Sequence, residues 1–206
     1  MKRIVLMTVL ALALPLAASA GSVDFSNEGG TLTGSSSGLT LTGSNLIGVV
    51  GLGSGICGEG SSSCGSVAFT TGSPISLNLA GLSTFSSGGS FTITGNGSDG
   101  LPTGVIFSGA FSSTVDLQYE MTLPNGSKVY NLTGMVFGKL NGQSANGFTS
   151  QPFTFTVISG KDGFMGSATL GSGNTIIGTV PEPGTLALLG TGMVGLAGVI
   201  RKRLKA

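Results

Sequence analysis

The sequence predicts an all-β domain, an antiparallel β-sandwich, and three observations carry that expectation. Between residues 22 and 179 no stretch of ten residues repeats its apolar side chains with helical period. Short segments instead alternate apolar and polar residues with period two, the mark of a half-buried strand. Asn-Gly and Asp-Gly pairs, which tolerate the positive φ of hairpin corners, stand between these segments.

The elements follow in chain order. Met1-Lys2-Arg3 is a basic start, Ile4 to Leu16 is apolar, and Ala18-Ser19-Ala20 has the small-x-small form of a cleavage site. Residues 1–20 are therefore expected to be a signal peptide, read by the export machinery and cut by signal peptidase after Ala20. Residues 21–66 are rich in Gly and Ser and poor in large apolar side chains. They do not form a separate domain, and the sequence leaves open whether they are loosely ordered or supply edge strands.

Clear alternation begins at Leu39-Thr40-Leu41-Thr42. It recurs at Ile75-Ser76-Leu77-Asn78-Leu79, Phe91-Thr92-Ile93-Thr94 and Phe153-Thr154-Phe155-Thr156-Val157. The longest run is Val115-Asp116-Leu117-Gln118-Tyr119-Glu120-Met121. Corners are expected at Asn96-Gly97, Asp99-Gly100, Asn125-Gly126, Asn141-Gly142, Asn146-Gly147 and Asp162-Gly163. The best-defined hairpin pairs 113–123 with 128–137 across Pro124-Asn125-Gly126-Ser127, with Tyr130, Leu132 and Val136 on its apolar face. About ten strands at this spacing predict a sandwich. A parallel solenoid would need a fixed repeat, and the Leu-Thr-Gly echoes at Leu32, Leu41 and Leu132 are unevenly spaced.

The chain ends in Val180-Pro181-Glu182-Pro183-Gly184, an uncharged apolar stretch from Thr185 to Ile200, and Arg201-Lys202-Arg203. The stretch is at or just below the ~17 residues a spanning helix needs, and the basic side chains can extend its reach by snorkelling. Gly190, Gly192, Gly195 and Gly198 would each cost up to ~1 kcal/mol in a water-soluble helix, whereas membrane helices use small residues to pack closely. A transmembrane helix over 185–200 is expected. The tail 201–206 should stay on the cytoplasmic side and the middle of the chain outside.

Composition narrows the chemistry. Charged residues are 8% of the chain. The body between Gly21 and Val180 holds three lysines against seven carboxylates, a net −4 that offers nothing for nucleic acid. Histidine is absent, which removes the usual general base at neutral pH and the commonest zinc ligand.

The three-part order of Pro181-Glu182-Pro183-Gly184, a Gly- and Leu-rich apolar helix and a terminal Arg-Lys-Arg resembles the PEP-CTERM sorting signal. The resemblance covers about 180–206. It implies that exosortase, a multi-spanning cysteine transpeptidase-like membrane enzyme, is the processing partner, and that Pro181-Glu182-Pro183 is the segment it reads. Two prolines also hold the segment extended, where an enzyme can grip it. The domain organisation is then a signal peptide (1–20), a β-rich exported domain (21–179) and a sorting signal (180–206). The protein would be anchored transiently in the inner membrane before reaching the cell surface or the exterior.

Other candidate sites reduce to structure. Cys57 and Cys64, seven residues apart in an exported chain, are expected to form a small disulfide loop; no further soft or imidazole ligands exist for a metal. Asp116 and Glu120 share one strand face, but four residues at ~3.3 Å rise separate them by ~13 Å, beyond the ~5–9.5 Å of paired glycosidase carboxylates. Asn96-Gly97-Ser98-Asp99-Gly100 has one carboxylate where a calcium loop needs several oxygens. Gly190-Thr191-Gly192-Met193-Val194-Gly195 matches a dinucleotide fingerprint in letters but lacks the preceding strand and following acidic residue. No catalytic, cofactor or metal residue is nominated.

Thr-x-Thr recurs at Thr31/Thr33, Thr40/Thr42, Thr92/Thr94 and Thr154/Thr156. Such tripeptides resemble ice-binding arrays, but their uneven spacing along the chain suits the outer faces of ordinary strands. The leading expectation is a non-enzymatic surface or extracellular-matrix protein, associated with exopolysaccharide as the resemblance implies. The alternative is a module that binds carbohydrate or another surface ligand, with ice as a minor variant. It requires exposed aromatics, from Tyr119, Tyr130 or some of the 11 phenylalanines.

Overall fold

Alternating segments become strands over most of the body. The computed structural model describes residues 21–52, 57, 63–78, 80–155, 167–179 and 192. Within them run β1 (Ser22–Glu28), β2 (Thr31–Ser35), β3 (Gly38–Val50), β4 (Gly65–Thr70), β5 (Pro74–Ser76), β6 (Leu82–Phe85) and β7 (Gly88–Asn96). After a short 3-10 turn at Ser98–Gly100 come β8 (Thr103–Phe111), β9 (Val115–Thr122), β10 (Lys128–Leu140), β11 (Gln143–Phe155), β12 (Ser167–Leu170) and β13 (Ser172–Thr179).

All pairings are antiparallel, and they close on themselves. The circuit runs β1–β3–β4–β7–β8–β10–β11–β13 and returns to β1, an eight-stranded barrel. The remaining five strands continue the walls rather than adding a layer. β1 and β2 together run alongside β3, and β13 and β12 keep one register against β1 and β2, from Ser22↔Gly178 to Thr33↔Ser167. β8 and β9 likewise share the length of β10. β6 extends β7 against β9, and β5 extends β4 against β6. Breaks in these long strands fall at Gly29-Gly30, Gly72-Ser73, Ser86-Ser87, Ser112-Ser113 and Gly171, small residues that let a wall bend.

The barrel corrects the sandwich expectation. Alternation and corner residues specify strands and hairpins, and the same pattern serves both architectures. What separates them is the pairing of first strand with last, which local sequence does not encode. Here Asn174 Nδ2 donates to Asp24 Oδ1 at 2.6 Å, across 150 residues of chain. Among the described strands, closure leaves no long edge to recruit another chain. Residues 22–50, left open by the sequence, are three strands of the barrel wall.

Several corners stand as read. Asn141 (φ 49°) and Gly142 (φ 85°) make the two-residue turn between β10 and β11, a primed hairpin turn in which both residues need positive φ. The 113–123/128–137 hairpin pairs Thr122 with Lys128 and Asp116 with Thr133, and Tyr130, Leu132 and Val136 are buried. Asn146-Gly147, by contrast, lies inside β11, paired with Phe137 and Val136. There Gly147 is needed because a side chain would run into the backbone of Ile176 and Ile177. Ile75 and Leu77 also depart from expectation. They point outward, since only Pro74–Ser76 forms strand and it sits at the outer end of the sheet. Asp162-Gly163 and Val157 lie outside the described residues.

The interior is filled by side chains. One zone is aromatic: Phe91 stacks on Phe69 with centroids 5.7 Å apart and meets Phe107 and Phe111 edge-on, while Phe69 meets Phe111 in the same way. Another part of the interior holds a polar cluster. Asn27 and Gln151 exchange amide hydrogen bonds of 2.9 and 3.1 Å, Asn27 Nδ2 also donates to Ser44 Oγ, and Gln151 Nε2 donates to Thr149 Oγ1. Thr149 and Thr175 hydroxyls are 2.8 Å apart. No described buried polar side-chain atom is left without a partner. Gly173, paired with Asn27 on the intervening strand, leaves room for the amide pair; a Cβ there would fall on Gln151 Oε1. The outer face is largely Ser, Thr and Asn, the reverse of a barrel that crosses a membrane with its apolar side out.

Candidate functional site

The nominated residues divide between barrel and termini. Cys57 and Cys64 are joined in a disulfide with Cα atoms 5.7 Å apart. Cys64 is buried in the core, and its backbone N–H donates to the Leu46 carbonyl at 2.8 Å while its own carbonyl accepts from Asn96 N–H at 2.9 Å. The bridge thus ties the β3–β4 connection to the barrel end where β7 finishes.

Carboxylates are scattered. Asp116 and Glu120 both lie on β9, with Asp116 paired to Thr84 and Thr133. Asp99 occupies the 3-10 turn at φ 55°, and the Asn96 side chain orders that turn by accepting from Ser98 N–H at 2.9 Å. Among the described residues no group of three or more His, Cys, Asp or Glu side chains could hold a metal ion.

The aromatics that a ligand platform would need are mostly inside. Tyr130 is buried, and burial, with Tyr119 beside it at 5.7 Å between ring centroids, raises its phenol above the usual value. Tyr119 is partly buried and its hydroxyl is 2.7 Å from Thr122 Oγ1. Phe25, Phe69, Phe85, Phe91, Phe107, Phe111 and Phe153 are core. Phe137 and Phe148 are exposed, on β10 and β11.

Threonines separated in sequence meet on the wall. Thr31 pairs with Thr42 and Thr33 with Thr40, while Thr169 and Ser167 of β12 flank them and Thr70 and Ser90 continue the row. Uneven spacing along the chain concealed this array, because hairpin pairing reverses direction at each turn. Strand twist of ~20–25° per neighbour keeps such a surface from being flat over several strands. Beside it lies a groove of about 250 Å³ lined by Ser35, Ser37, Thr40, Thr70 and Thr71.

Ala18, Ala20, Pro181, Glu182, Pro183, Gly184, Arg201, Lys202 and Arg203 lie outside the described residues. So does the expected helix over 185–200, except for Gly192, which is helical. No helix among the described residues is long and apolar enough to cross a membrane. Both ends of the barrel chain leave from the same end of the barrel, since Ser22 of β1 pairs with Gly178 of β13.

No curated protein and no solved structure matches the chain. The chain from the last residue of β13 onward does find a counterpart: positions 179–203 match the PEP-CTERM protein-sorting motif, which implies an exported protein processed by an exosortase and sorted to the cell surface.

Proposed function

We propose that this chain is a non-enzymatic cell-surface or matrix protein, held transiently in the inner membrane by residues 185–200 until exosortase cuts near Pro181-Glu182-Pro183. The observation that carries this reading is the matched sorting motif, beginning at the last residue of β13. The β-domain ends where the processing segment begins, so cleavage there would free a whole barrel. A side-chain-filled interior and an outer face of hydroxyls and amides suit a passive module among hydrated polysaccharides.

The test is replacement of Pro181, Glu182 and Pro183 by alanine in cells that contain an exosortase. Full-length protein should accumulate in the membrane fraction, whereas wild type appears as a shorter, released or surface-bound form. Release of the triple variant at the wild-type rate would end the proposal.

The second reading is a carbohydrate-binding module, favoured by the threonine array and the adjoining polar groove. It predicts retention of the released protein on a glycan array, reduced by Thr40→Val and Thr70→Val. Failure to bind any glycan would leave the passive role.

A further inference from the structure

The outer wall of the barrel carries an apolar face among its hydroxyls. Met135, Phe148 and Ile176 are direct cross-strand partners on β10, β11 and β13, and Phe137 sits two residues along from Met135 on the same side. Their exposures are 43%, 45%, 47% and 53%, large for side chains of this size. Ala110 of β8 adjoins Phe137. The next outward residue of β10 is Lys139, one of three bases in the body. The patch is bounded by Thr133 and Ser150 on one side and on another by Asp24, the cross-strand partner of Ile176, which is bound by Asn174.

Position selects the occupant. Ile176 is three residues before the end of β13, and Lys139 lies between the apolar face and the barrel end from which the chain departs. Only Val180–Gly184 separate that strand from the apolar stretch 185–200, and five residues span at most about 17 Å. A chain anchored through that stretch keeps this end of the barrel beside the bilayer. Apolar side chains rimmed by a lysine are what an interfacial membrane contact uses: the hydrocarbon enters the headgroup boundary and the ammonium stays with the phosphates. Polar groups able to orient a sugar are sparse at the patch: Asn146 stands opposite Phe137, and Asp24, opposite Ile176, is already engaged by Asn174.

We propose that the face formed by Met135, Phe137, Phe148 and Ile176, with Lys139 at its rim, seats the barrel on the lipid surface while the chain is anchored. This rests on the anchoring reading above. The short tether raises the effective concentration of lipid at the face, so a contact too weak to hold a free protein is made while the anchor lasts. Cleavage removes the tether, and the barrel departs.

The chain contains no tryptophan, which makes the test direct. Full-length Phe148→Trp is reconstituted in phosphatidylethanolamine–phosphatidylglycerol vesicles with and without brominated acyl chains. Ile75→Trp, at an exposed position on the short strand β5, is the comparison. The indole at position 148 should emit to the blue and be quenched by brominated lipid, and that at position 75 should be quenched only by aqueous iodide. Adding Met135→Ser, Phe137→Ser and Lys139→Gln should return the first probe to water. Sedimentation with the vesicles after carbonate washing reads the anchor separately. A chain that sediments but whose probe at 148 stays accessible to iodide overturns the seating alone. A chain that does not sediment overturns the anchoring reading and the seating with it. A blue shift on addition of soluble dextran, without lipid quenching, would assign the face to glycan instead.

Discussion

At the scale of single residues, the polar cluster within the core is the least expected feature. Asn27 and Gln151 belong to strands that do not pair with each other, and their amides meet across Gly173 of β13. Five side chains satisfy one another there, so removing one partner strands the rest in a dry interior. Gln151→Leu should therefore destabilise the barrel by about 1–3 kcal/mol in urea unfolding. Asn27→Leu combined with Gln151→Leu should cost less than the sum of the two single changes. Strict additivity in that double-mutant cycle would refute the direct amide contact. Nothing in the local pattern signals this network, since Asn27 and Gln151 are ordinary polar residues in strands and their meeting depends on barrel closure.

Among the elements, the hairpins were the most legible. The β9–β10 and β10–β11 corners are fixed by Asn125-Gly126 and Asn141-Gly142, where positive φ is a local demand. Asn146-Gly147 carries the same letters inside a strand, because there the glycine answers a close approach of β13 rather than a turn. Residue types name what a position tolerates, and the neighbour across the sheet decides which tolerance is used. The Cys57–Cys64 bridge, read correctly from spacing and compartment, closes a loop of seven residues' separation. By loop-closure entropy a bridge of that size contributes about 2 kcal/mol. Dithiothreitol should lower the thermal midpoint by several degrees without abolishing the fold, and an unchanged midpoint would show the loop to be energetically idle.

The whole molecule depends on its last strand. β13 joins β11 to β1 and so completes the circuit, while the sorting segment begins where β13 stops. A chain ending after Thr179 should fold and melt as one cooperative unit. A chain ending at Gly171 loses the closing strand, exposes the pairing edges of β1 and β11 and should aggregate. If the shorter chain gave the same circular dichroism and melting curve, β13 would be dispensable and the barrel description wrong.

By itself the sequence determined the address and the alphabet. The sorting motif of Pro-Glu-Pro, apolar stretch and basic tail, the strand period, the hairpin corners and the disulfide are all local patterns, written in neighbouring residues. The closed barrel, the amide pair over Gly173, the gathering of Thr31, Thr33, Thr40 and Thr42 on one surface and the apolar face at Phe137 and Phe148 were decided by tertiary structure. Each depends on which strands become neighbours, and that choice is made by the summed burial of side chains from both ends of the chain, a quantity no short window contains.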